Sequence, residues 1–133
     1  MMKGDIVTLA GSTNSTTGSV LLTGQFSQQG ITTLVIPQGM KLKIYRFTAS
    51  GNAITSQLLF TPNINTTTPT WYPLDQISMT SAGDDIHEYK SRPIIVYGEL
   101  GTEAITVQYT QASVGGTLIS LITELTDKNE EEE

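Results

Sequence analysis

The sequence predicts an all-β fold, a sandwich or barrel in one domain, on three observations. The first is a hydrophobic period of two. In "KLKIYRF", residues 41–47, Leu42 and Ile44 fall on one face and Lys41, Lys43 and Tyr45 on the other. In "AITVQYT", residues 104–110, Ile105, Val107 and Tyr109 alternate with Thr106, Gln108 and Thr110. Such alternation marks strands with one buried and one wet face. The second observation is turn chemistry at short intervals: Gly18, Gly24, Gly30, "PQG" at 37–39, "SGN" at 50–52, "TPNINTTTP" at 61–69, "SAGDD" at 81–85, "GELG" at 98–101 and "GG" at 115–116. The third is size. A chain of 133 residues fits one domain, and a domain of this length buries roughly two-thirds of the surface its unfolded chain exposes.

Between these turns, strands are expected near residues 5–10, 18–26, 31–36, 40–48, 54–61, 74–80, 92–97, 103–110 and 117–125. Evenly spaced short strands with Gly and Pro at their ends are the pattern of a sandwich or barrel. "TTLVIP" and "RPIIVYG" are continuous apolar runs bounded by Pro and Gly. They read as strands buried on both sides or lying at a sheet junction. "TLISLITELTDKNEEEE", from Thr117, carries the one stripe that fits a helix as well as a strand; its β-branched content and the preceding "SVGG" turn favour the strand. Two segments break the rhythm. "GSTNSTTGS", 11–19, reads as a flexible loop, and the acidic run at 127–133 as a disordered tail after a single domain spanning 1–126.

Composition narrows the functions. Net charge is −6, yet the terminal "EEEE" supplies four of the 13 acids, leaving nine against seven bases. The body is close to neutral and carries no basic stripe of the kind that binds nucleic acid. Threonine and serine make up about a quarter of the chain, which suits exposed strand faces and loops. With no cysteine, disulfides and thiolate metal sites are excluded. No apolar run approaches the ~20 residues of a membrane helix, and the opening "MMKGDIVTLAG" lacks the apolar core of a secretory signal. Neither membrane insertion nor export is expected.

Two stretches invite a functional reading. "SAGDDIHEYKSRP", residues 81–93, holds the only histidine, His87, with Asp84, Asp85 and Glu88 beside it. A catalytic zinc site takes three converging protein ligands, usually with more than one histidine. If the segment is extended, Asp85 and His87 share one face while Asp84 and Glu88 point away. Lys90 and Arg92 stand ready to neutralise the carboxylates. The stretch is expected to be a solvated turn before the strand at 92, with no metal and no catalytic role. Nucleophilic catalysis lacks a G-x-S-x-G elbow and a cysteine, and no glycine cluster opens a helix to cradle phosphate. The chain is therefore expected not to be an enzyme and to need no cofactor.

The second stretch is "TWYPL", 70–74. Adjacent strand residues point to opposite faces, so one of Trp71 and Tyr72 is expected outside, as a subunit contact or a platform for a sugar ring. The sequons at Asn14 and Asn65 fall in predicted loops.

The run from "ITTLVIPQGMKLKIYRFTASGNAITSQLLF" through "SRPIIVYGELGTEAITVQYT" to "GGTLISLITEL" resembles a small single jelly roll, in particular the compact capsid and vertex proteins of icosahedral viruses, including archaeal and thermophilic-phage ones. The likeness covers most of residues 20–125. It lies in a Pro-Gly turn after a first β-run, long alternating strands, a Thr/Asn-rich tip loop, an Arg-Pro lead into a buried strand, and a final apolar strand. The resemblance implies a β-sandwich of about eight strands. It also implies a structural virion protein that packs with copies of itself or other capsid proteins. The missing basic arm implies a subunit lying over a membrane or another protein shell, or decorating the exterior, without direct nucleic-acid contact. The alternative is a non-catalytic carbohydrate-binding β-sandwich module using Trp71, Tyr72 and Tyr45. A cupin-like metal enzyme would need a ligand set that one histidine does not supply.

Overall fold

The computed structural model describes residues 6–13, 17–19, 22–24, 27–31, 33–89, 91–111 and 116–129. Every regular element among them is a strand: β1 (Ile6–Ser12), β2 (Thr17–Ser19), β3 (Leu22–Gly24), β4 (Ser27–Ile31), β5 (Thr33–Val35), β6 (Met40–Gly51), β7 (Ile54–Thr61), β8 (Tyr72–Met79), β9 (Gly83–Glu88), β10 (Ile94–Tyr97), β11 (Ala104–Thr110) and β12 (Thr117–Asp127). One sheet runs β10-β6-β12-β1-β3-β4, with β9 also on β6; the other runs β2-β11-β7-β8, with β5 also on β11. All these pairings are antiparallel.

Two edges are shared. Strand β12 occupies one side of β6 along its whole length, so β9, paired with 46–51, and β10, paired with 41–44, lie in line on the other side. In the same way β2 and β5 lie in line along β11. The inward faces of both sheets meet in one core. Leu9, Leu42, Ile44, Phe47, Ala49, Val96, Ile119, Leu121 and Leu125 come from the first sheet; Ile54, Leu58, Ile77, Ile105, Val107 and Tyr109 come from the second. This is the single β-sandwich the period-two pattern predicts, and 117–127 is a strand rather than a helix. Phe60 and Ile94 are only partly buried, at the margin of the cluster.

The structure departs from the expectations in four places. Lys41 and Lys43, placed on the wet face, are 2% and 8% exposed. Lys43 is flanked in register by Ile95 and Glu124, so neighbouring strands cover its stem. Second, of the two placements expected for the runs at 32–37 and 92–98, burial on both sides does not hold: β5 and β10 are edge strands, with Val35 and Tyr97 exposed. Third, part of the supposed loop at 11–19 is sheet: Gly11 and Ser12 close β1, and Thr17–Ser19 form β2. Last, order continues past 126, since Asp127 pairs with Met40 and the Lys128 N–H donates to the Gly39 carbonyl at 2.9 Å. Residues 130–133 lie outside the described residues, as does Asn14.

Strand β6 carries one irregularity. Ile122 pairs with Arg46 and Thr123 with Ile44, so Tyr45 is the extra residue of a bulge. Its hydroxyl donates to Glu124 Oε1 at 2.6 Å.

Candidate functional site

The two sheets adjoin along the edge where β8 ends one sheet and β9 with β10 ends the other. The histidine stretch lies here, and it is not a turn. Residues 83–88 form β9, with His87 paired to Phe47 and Asp85 to Ala49. The polar residues conceal a strand because its inward positions are Asp85 and His87 instead of aliphatic side chains. The alternation itself is as expected: Ser50 donates to Asp84 and Arg46 pairs with Glu88 at 3.2 Å on one face. Asp85 and His87 share the other.

His87 reaches across to the second sheet. Its Nδ1–H donates to Asp75 Oδ2 on β8 at 2.7 Å, and its Nε2 stands 3.4 Å from Asp85 Oδ2. The Tyr89 hydroxyl donates to the same Asp75 oxygen, and the Gln76 N–H donates to Asp75 Oδ1 at 2.7 Å. Phe47 of the core meets the imidazole edge-on, centroids 6.4 Å apart at 84°.

These contacts set the protonation states. Burial alone would raise the Asp75 carboxyl, but hydrogen bonds from Tyr89, His87 and the Gln76 N–H, with the charge of His87, hold it below the usual carboxylate range. Burial would lower the His87 imidazole; Asp75, and then Asp85, lift it above its ordinary value. Burial first, then the Asp75 hydrogen bond and charge, push the Tyr89 phenol well up. The shifts favour an ionised carboxylate, an imidazole that holds its proton more tightly than a free one, and a neutral phenol around one point. Such a group fastens two strands. A base poised near neutral pH would need a free acceptor, and His87 spends both ring nitrogens on carboxylates. Among the described residues no group of three or more His, Asp or Glu side chains has the geometry to hold a metal ion.

Further along the same edge lies a cleft of about 370 Å³. Phe60 and Leu74 line it from one sheet and Ile95, Val96 and Tyr97 from the other, with Glu99 and Glu103 from the loop before β11. Neither Trp71 nor Tyr72 is among the residues that line it. Strand β8 begins at Tyr72, so Trp71 precedes the strand rather than alternating with Tyr72 inside it. Trp71 is half-buried and Tyr72 is 52% exposed. Tyr72 pairs in register with Phe60, which does line the cleft. Tyr97, which lines the cleft, is exposed, as is Leu100 three positions on. Tyr45 is not part of this group; it lies on the other sheet, bonded to Glu124. Asn65 sits exposed in a tip loop, its N–H donating to Asn63 Oδ1 at 2.9 Å.

Asp75 and Tyr89 escaped the sequence reading. An acid in the middle of the otherwise ordinary strand "YPLDQISM" was the one available signal, since a buried carboxylate needs a partner.

No protein-family model matches the sequence, and no curated protein sequence does. Among solved structures, the chain is similar to one in the structure of infectious bursal disease virus strain Gx, at 11% identity and a TM-score of 0.48, covering 97% of this chain and 34% of that one. The corresponding strain Gt structure gives 9% and 0.45, covering 98% and 33%. The Yersinia pseudotuberculosis-derived mitogen gives 12% and 0.33, covering 97% of this chain and 92% of that one. The chain thus spans about a third of the length of the viral chains it matches. At these distances the likeness assigns no role to any residue.

Proposed function

We propose that this chain is a non-catalytic structural subunit, a jelly roll that packs with copies of itself or with other proteins in a virion shell. The strand order is the observation that carries the reading. Leaving the β3–β4 hairpin aside, and counting β2 with β5 and β9 with β10 as single lines, the sandwich has eight lines. One sheet then runs 1-8-3-6 and the other 2-7-4-5. That order supports reading the winding as two Greek keys folded into a jelly roll, an architecture that serves capsid and lectin domains alike. Exposed aromatic and aliphatic side chains beside an apolar cleft favour a protein neighbour, because such rings give much buried area for little lost conformational freedom. The all-side-chain engagement of His87 supports a role without catalysis.

Light scattering at rising protein concentration tests the proposal. Assembly into a defined oligomer, or stoichiometric capture into a shell, supports it. The exposed Tyr72 beside half-buried Trp71 favours one second reading, a carbohydrate-binding module. A chain that stays monomeric and binds oligosaccharide through these rings would establish that reading instead.

A further inference from the structure

Along the β8/β9 edge the two sheets are not joined by backbone. Within the described residues β8 pairs only with β7, and β9 only with β6, so side chains alone close this seam. Three of them meet at Asp75: the His87 imidazole at 2.7 Å, the Tyr89 hydroxyl, and, through His87, the Asp85 carboxylate at 3.4 Å. Behind the imidazole stands Phe47, with no solvent exposure. Parting this group would open the core to water at Phe47.

We propose that Asp75, His87 and Asp85 form a pH-controlled latch that fastens one sheet of the sandwich to the other. Among the described residues the charged groups facing the imidazole are few. β8 presents Asp75, β9 presents Asp85, and Tyr89 follows β9; β6 presents the uncharged Phe47, while Arg46, Glu88 and Asp84 are engaged on the opposite face. When the imidazole is protonated, a cation therefore sits between two carboxylates. Once it loses its proton, one N–H remains to serve both, and the carboxylates repel each other without a cation between them.

The sign of the dependence follows. His87 titrates above its ordinary value, so its contribution is full below about 6.5, the unfolded value, and is lost as pH rises through the folded value. Asp75 titrates below its ordinary value. Its contribution is full above about 3.9 and is lost as pH falls through the folded value. The latch is tightest in mildly acidic solution and loosens on the alkaline side. Each unit by which His87 is raised corresponds to about a tenfold change in the opening equilibrium.

Because His87 is the only histidine, its ring resonances report the titration without assignment ambiguity. The experiment follows them by NMR against pH in the wild-type chain and in Asp75→Asn, and measures amide exchange protection in β8, β9 and β12 across the same range in the wild type and in His87→Gln. The expected result is a raised wild-type titration that drops in Asp75→Asn. Protection in β8 and β9 should fall as His87 deprotonates while β12 holds steady, and His87→Gln should lose that pH dependence. Titration of wild-type His87 at or below its ordinary value would overturn the latch. So would β8 and β9 protection that ignores the titration, or that changes equally in His87→Gln. Should Asp75→Asn fail to fold, the wild-type and His87→Gln measurements decide alone.

Discussion

Both carboxylate oxygens of Glu103 accept the backbone N–H of Leu100, each at 3.2 Å. The Gly101 N–H adds a contact to Oε1 at 3.1 Å, and the side chain is 6% exposed. One buried acid thus organises the loop between β10 and β11, the loop that carries exposed Leu100 beside the apolar cleft. Burial would raise this carboxyl. The surrounding N–H groups of Glu103, Leu100, Glu99 and Gly101 outweigh burial and hold it below its usual range.

Replacing Glu103 by Gln should therefore destabilise the fold by about 1–3 kcal/mol, the cost of leaving buried donors unmatched. A lowered folded value also sets a pH window. The stabilisation is complete above the unfolded carboxyl value of about 4.3 and is lost as pH falls through the folded value. Urea unfolding between pH 3 and 6, in wild type and Glu103→Gln, should show the two curves converging toward acid. Parallel curves would mean that the carboxylate does not hold the loop.

The same loop fixes a second contrast, between two glycines. A Cβ on Gly98 would lie 2.1 Å from the Pro37 carbonyl oxygen and 3.0 Å from that of Ile36. The backbone is not free to retreat, because the Gly98 N–H donates to Met40 at 2.8 Å and its carbonyl accepts from Gly39 at 2.9 Å. Gly39 has φ +85° but open space around it, so alanine there meets only the left-handed strain of about 1–2 kcal/mol. Gly98→Ala should lower the melting temperature more than Gly39→Ala does. The reverse order would show that the 37–40 turn is not packed against Gly98.

How much of this was legible depended on which residues fill the inward positions. Strands β6, β7 and β11 announced themselves because Leu42, Ile44, Leu58 and Val107 recur at period two, whereas β12 fitted a helix as well and was separated from it by β-branched content and the preceding turn. Strand β9 has the same period, but its inward side chains, Asp85 and His87, are polar, so the pattern passed for a loop. The latch was invisible for another reason. Asp75 and His87 are 12 positions apart in the chain and belong to different sheets, and no local spacing rule joins such a pair. Lys41 and Lys43 misled in the opposite sense: charge marks the face that is not core, but long aliphatic stems on a wide sheet can still be covered. Cleft and edge aromatics were half legible, since "TWYPL" flagged the place while the strand start at Tyr72 decided the geometry.

Two buried hydroxyls should respond oppositely to removal. Ser56 is fully buried between Tyr109 and Ile77 in register, and its Oγ has no hydrogen-bond partner among the described residues. An unpaired buried hydroxyl is a cost, so Ser56→Ala should be neutral or stabilise by up to about 1 kcal/mol. Thr117, equally buried, accepts from Gln111 Nε2 at 3.1 Å and donates to the Asn52 carbonyl at 3.2 Å. Thr117→Val should cost about 1–3 kcal/mol. Denaturant midpoints for the two variants check the pair, and a destabilised Ser56→Ala would reveal a partner for that hydroxyl.

The proposed subunit contact makes the sharpest demand on Trp71 and Tyr72. Tyr72 is 52% exposed and pairs in register with Phe60, which lines the cleft; Trp71 immediately precedes the strand and is half-buried. Neither residue is in the core cluster, so replacing both by Ser should leave most of the folding free energy in place. An interface centred here is different. Stable protein contacts bury at least about 1,000 Å² in total, and a few central aromatic side chains carry most of the energy, costing about 2 kcal/mol or more each when truncated. The double variant should therefore lose its oligomeric mass at concentrations where the wild type is assembled, while its melting temperature as a monomer changes little. Light scattering and thermal unfolding on the same samples separate the two effects. If the double variant assembles as well as the wild type, the contact lies elsewhere on the sandwich. If the wild type is monomeric at high concentration and loses oligosaccharide binding with the rings, this edge is a sugar platform and the chain is not a shell subunit.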